Sequence, residues 1–199
     1  MKKLLLASLL VLGCHSKTTG ALPPREGPAP VPELTLVWVG EGRAERMEGG
    51  TWKRAETFDY EFTVEQRRFR DHWESVKHQR RRHPAYDGSA GPREITMFFR
   101  LDFGSPDTTG KVSVSIDSSL GKGEGRSDRE FRVAELVMHP DLSRFAPFDT
   151  YRIGQQYEYE KGTLTETVSL DKGTTPWVRN LESATLFAPH RFETAPTHL

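Results

Sequence analysis

From Ile95 to Phe103 every second residue is apolar: Ile95, Met97, Phe99, Leu101 and Phe103 fall on one side of the chain, and Thr96, Arg100 and Asp102 fall on the other. A period of two fits an extended strand with one face dried against a core. The period returns at Val112, Val114 and Ile116, interleaved with Ser113, Ser115 and Asp117, and at Phe58, Tyr60 and Phe62, interleaved with Asp59, Glu61 and Thr63. Strands are also expected over 34–39, 131–138, 151–160, 163–170 and 178–187, with turns at Gly49-Gly50 and Lys161-Gly162. In the segment 163–170, Thr163, Thr165, Thr167 and Ser169 read as the wet face opposite Leu164, Val168 and Leu170.

One segment carries a different period. Phe62, Gln66, Phe69, Trp73 and Val76 are spaced by four, three, four and three, which predicts an amphipathic α-helix over about 64–82. Thr63 and Gln66 match a capping box, Arg80, Arg81 and Arg82 suit a helix C-terminus, and Pro84 forbids continuation. The expected fold class is therefore mainly β, an antiparallel β-sandwich or curved half-barrel with that one helix packed on it. Alternating strand and helix signals for a doubly wound parallel sheet are missing.

The single cysteine, Cys14, excludes an intramolecular disulfide and any zinc site built on cysteine, so stability must come from apolar burial. Ahead of it, Lys2 and Lys3 precede the apolar run 4–12 and the small residue Gly13, the layout of a secretory signal. The run is well short of the roughly 20 residues a membrane-spanning helix needs. The ending Val11-Leu12-Gly13-Cys14 resembles the lipobox of bacterial lipoproteins. That resemblance covers the signal only, and it implies cleavage before Cys14 and acylation of its thiol. With His15 rather than aspartate after the cysteine, it also implies an outer-membrane destination where two membranes exist. Two or more acyl chains anchor a protein stably.

These features divide the chain into a signal peptide over 1–13, an acylated tether over 14–32, a single domain over 33–192 and a C-terminal tail over 193–199. Five prolines between Pro23 and Pro32 give the tether extended geometry at about 3.1 Å per residue. Loss of Lys2 and Lys3 takes the basic count from 28 to 26 against 28 acidic residues, so the nearly neutral domain predicts no nucleic-acid partner. The expected location is the cell envelope, and the expected partners are a membrane through the lipid anchor and an envelope protein or an anionic lipid or polysaccharide.

No catalytic motif stands out, and neither a metal nor a cofactor is expected. On the predicted helix, Arg67, Arg68, Arg70, Lys77, Arg80, Arg81 and Arg82 form a basic face that could contact an anionic surface. Asp71, Glu74 and His78 share a stripe near His72 and His83, but the histidine spacings do not bring two imidazoles together. The run 121–125 alternates Gly with Lys122 and Glu124, lacks the ending of a phosphate loop and reads as a hairpin loop. His139 beside Asp141 is a further titratable pair, and Glu158 with Glu160, alternating with Tyr157 and Tyr159, reads as a wet face. Three readings follow: a non-enzymatic binding or structural β domain on a lipid anchor, an apolar-ligand carrier with a half-barrel pocket, and an envelope hydrolase with a site assembled from distant residues.

Overall fold

The computed structural model describes residues 31–89, 91–141 and 147–190, with side chains to Phe187. The signal, Cys14, most of the tether and the C-terminal tail lie outside the described residues. The first strands are β1 (Leu34–Glu48), β2 (Thr51–Arg54), β3 (Tyr60–Arg68), β4 (His72–Arg81) and β5 (Glu94–Pro106). Then come β6 (Val112–Ser118), β7 (Gly121–Ser127), β8 (Val133–Pro140), β9 (Thr150–Glu158), β10 (Thr163–Lys172) and β11 (Thr175–His190). From β3 onward each pairs antiparallel with the next, and β1 pairs with both β3 and β11, so ten strands close into a barrel while β2 extends one end of β1. Closure leaves none of these ten strands with an open edge, as a sandwich or half-barrel would have done.

No α-helix occurs among the described residues; the one helical turn is a short 3-10 segment, Glu56–Phe58. The helix expected over 64–82 is instead the hairpin of β3 and β4, turning at Arg70-Asp71, where the Phe69 N–H donates to the His72 carbonyl at 2.9 Å. The spacing of four and three was coincidental. Phe62 and Gln66 are buried on β3 and Trp73 on β4, while Phe69 sits in the turn with its ring stacked on His72. Inward residues of β4 are Trp73, Ser75, Lys77, Gln79 and Arg81, a polar series that hides the period of two.

The segment 121–125, expected to be a loop, belongs to β7. Its glycines face β8 so closely that a Cβ on Gly123 would meet the Val137 carbonyl oxygen, and one on Gly125 the Glu135 carbonyl oxygen. Glycine is therefore required by close backbone approach.

One end of the barrel is closed by aromatic rings. Trp73 packs at 4.4 Å from Phe131 and 5.2 Å from Phe103, with Phe103 and Phe131 at 4.0 Å. Arg68 lies over Trp73 at 3.9 Å and donates to the Tyr159 hydroxyl at 2.6 Å. Phe131 takes a φ of 57°, the one positive value on a non-glycine residue among those described, and burial of its ring offsets that strain. The chain enters at this floor, where the Glu33 N–H donates to the Arg68 carbonyl at 2.8 Å.

Outward positions carry Glu61, Glu65, Arg67, Arg80, Arg100, Asp102, Asp117, Lys122 and Arg126, several joined in surface ion pairs. A barrel that spans lipid carries an apolar band on that face instead.

Candidate functional site

The barrel encloses a lumen of about 800 Å³ that, among the described residues, opens at the end opposite the aromatic floor. Phe58, Leu120, Pro92, Phe148 and Trp177 lie around the mouth, with Phe148 and Trp177 in edge contact at 6.4 Å. Inside, the wall is divided. Met97, Phe99 and Leu101 on β5, Ile116 on β6, Leu136 and Met138 on β8 and Ile153 on β9 make an apolar side. Opposite them runs a polar belt.

The belt follows one row of paired residues around six strands. Arg81 pairs with Tyr60, Tyr60 with Gly42, Gly42 with Glu182, Glu182 with Glu166, and Glu166 with Gln155. Gly42 contributes empty space that the Tyr60 ring occupies, since a Cβ on Gly42 would fall on that ring. Tyr60 thereby reaches past β1 and donates its hydroxyl hydrogen to Glu182 Oε1 at 2.5 Å.

Lys77 rises from β4 to the same point. Its ammonium donates to both oxygens of Glu182 at 2.6 and 2.5 Å, stands 3.6 Å from Glu166 Oε1 and lies 4.5 Å over the Phe62 ring. Gln155 Nε2 donates to Glu166 Oε2. The Lys77, Glu166 and Glu182 side chains are 10%, 11% and 5% exposed, so water screens them little.

Burial disfavours the ammonium of Lys77, yet the facing carboxylates of Glu182 and Glu166 outweigh it and raise its pKa. Burial also raises Glu166, reinforced by the neighbouring Glu182 charge and only partly opposed by Lys77. Tyr60 is pushed far up by burial and by the Glu182 carboxylate, so it stays a hydrogen-bond donor.

A pH dependence follows. Between the ordinary glutamate value of 4.5 and the raised value, the folded state holds a proton on Glu166 that the unfolded state has lost. The resulting stabilisation is complete below the unfolded pKa and is lost as pH rises through the folded one. Glu166→Gln should remove that decline. Denaturant midpoints of both proteins across about pH 4 to 8 check it, and parallel curves would refute it.

The basic residues expected on one helix face are dispersed. Arg67 pairs with Glu65 and Arg80 with Glu61 and Glu94 on the outer surface, Arg82 reaches Glu41, and Arg70 is exposed in the β3–β4 turn. Arg68 belongs to the floor, Arg81 lies at the mouth bonded to the Phe58 carbonyl, and Lys77 is inside the barrel rather than on a surface. His72 is buried between Asp71 at 2.7 Å and Glu74 at 3.4 Å, while His78 is exposed beside Thr96. His139 is exposed at the end of β8 within 3.4 Å of the Asp149 carbonyl; Glu158 and Glu160 pair on the surface with Lys161 and Arg132. These groups do not converge with the lumen belt.

Glu166 and Glu182 were not singled out by sequence. Glu166 does carry a signal: it occupies the apolar face between Leu164 and Val168, where a lone carboxylate needs a buried partner.

Fold and site together define a closed, ten-stranded antiparallel barrel with a ligand-sized, half-polar lumen. Comparison with protein-family models, with curated proteins and with solved structures returns no match for this chain.

Proposed function

We propose that this chain is a lipid-anchored cell-envelope protein whose barrel binds a small amphiphilic ligand in its lumen without transforming it. The observation that carries the reading is the lumen itself. Its volume falls within the roughly 300–1,000 Å³ usual for small-molecule pockets, and an apolar wall facing a few fixed polar groups is the usual make-up of such sites.

A fluorescent apolar dye such as N-phenyl-1-naphthylamine should gain intensity and shift to the blue with the purified protein. Val168→Trp, which fills the lumen from β10, should abolish that response while far-ultraviolet circular dichroism stays β-rich. A dye response unchanged in Val168→Trp would place the binding outside the barrel and sink the reading.

The anchor is supported by the lipobox-like ending at Cys14. Since the chain enters at the floor, an anchored barrel would carry its mouth on the side away from the tether. Fractionation of wild type beside Cys14→Ala, with mass spectrometry of the N-terminal peptide, should show an acylated membrane-bound protein and a released variant. An unmodified, soluble wild type would remove the anchor from the proposal.

The hydrolase reading draws on one observation: a buried carboxylate of raised pKa beside a second carboxylate and a lysine is an arrangement that acid–base chemistry uses. Lys77 and Tyr60 hold Glu182 so tightly that it is poorly placed to accept a substrate proton, and for that reason the binding reading is preferred.

A further inference from the structure

We infer that the lumen selects an amphiphile with a hydrogen-bond-donating, amine-type head, seated on Glu166, and discriminates against one that ends in a carboxylate. This inference rests on the ligand-binding reading above and names its ligand class.

The two lumen carboxylates are unequally satisfied. Glu182 receives Lys77 on both oxygens and the Tyr60 hydroxyl at 2.5 Å, which uses most of its acceptor capacity. Glu166 has one oxygen bonded by Gln155, and its other oxygen faces Lys77 at 3.6 Å, beyond a good hydrogen bond. A carboxylate accepts about four donors. Glu166 therefore retains room for donors from an occupant.

Charge points the same way. One ammonium, Lys77, serves two carboxylates in a poorly hydrated wall. Two further cations line the lumen toward its mouth: Arg81 is engaged by the Phe58 carbonyl and lies 5.1 Å from the Tyr60 ring and 5.6 Å from the Tyr86 ring, and Arg46 lies 5.6 Å over the Phe58 ring. A carboxylate head beside Glu166 would add negative charge to a wall that already holds two carboxyl groups for one ammonium, whereas an ammonium head would be attracted to them.

The interior also has a place for the apolar body. Trp38 lines the lumen, is fully buried, and its indole N–H has no acceptor among the described residues. The apolar wall of Met97, Phe99, Ile116 and Leu136 gives an alkyl body its place.

The test compares decylamine, decanol and decanoate, each below its micelle concentration at neutral pH, as competitors for N-phenyl-1-naphthylamine and directly by calorimetry. Decylamine should displace the dye at a concentration at least tenfold lower than decanoate, with decanol between. In Glu166→Gln the amine-to-carboxylate ratio should shrink to within about threefold, read inside the one variant so that its absolute affinity does not matter. Decanoate binding as well as or better than decylamine in the wild type overturns the inference, most directly if Arg81→Gln abolishes it. A ratio unchanged in Glu166→Gln overturns the seat on Glu166. Dye binding without any ranking of heads defeats the head-group inference alone, while absence of dye and amphiphile binding defeats the lumen reading with it.

Discussion

Replacing Lys77 with methionine should lower the unfolding free energy by about 3–5 kcal/mol, the range for removing one partner of a buried ion pair. Methionine matches the length of the lysine stem, so the loss would come from charge rather than from a void. Glu182 would keep the Tyr60 hydroxyl but lose both ammonium contacts, and Glu166 would face it with no cation between them. Chemical denaturation at neutral pH measures the loss. Adding Glu182→Gln to Lys77→Met should recover a good part of it, because a single remaining carboxylate can take up a proton. A cost for Lys77→Met below about 1 kcal/mol would mean that water, and not Lys77, solvates the belt.

The second large effect is expected at the floor. Trp73→Ala should destabilise the barrel by about 3–5 kcal/mol, since a buried tryptophan takes with it both its transfer free energy and the packing of its neighbours. Phe103 and Phe131 would lose the ring they converge on, and the Arg68 guanidinium would lose the face it covers at 3.9 Å. Dye retention should fall as well, since the floor is what closes the lumen at that end. Trp73→Phe keeps a ring in place and should recover more than half of both losses. Equal destabilisation by the two substitutions would argue that the indole itself, through Arg68, and not the volume, holds the floor.

The polar belt explains why β4 of the β3–β4 hairpin carries no strand signal in its sequence. Strand signals come from apolar residues repeating on one face, and β5, β6 and β8 display them because their inward residues meet other apolar side chains. On β4 the inward positions after Trp73 are Ser75, Lys77, Gln79 and Arg81. No local pattern distinguishes such a strand from a solvated surface. Lys77 is tolerated inside because Glu182, 105 residues later, arrives beside it. The basic face assigned to a helix was therefore a set of residues on different surfaces of a barrel.

β7 failed to register for a different reason. Its alternating glycines leave no side chains to show a pattern, yet those glycines let β8 approach closely and help the sheet to curve.

By itself the sequence determined that the domain is mainly β, that its core is held without disulfides, and that strands 34–39, 112–116, 163–170 and their like have one dry face. It also showed the signal-like start and the lone Cys14 that the anchoring proposal rests on. Only the tertiary structure decided that the sheet closes, through the pairing of β1 with β11, and that Lys77, Glu166, Glu182 and Tyr60 meet inside it. Alternation is written locally, in neighbours two residues apart. Closure and charge compensation depend on partners more than a hundred residues away, which no window along the chain can contain.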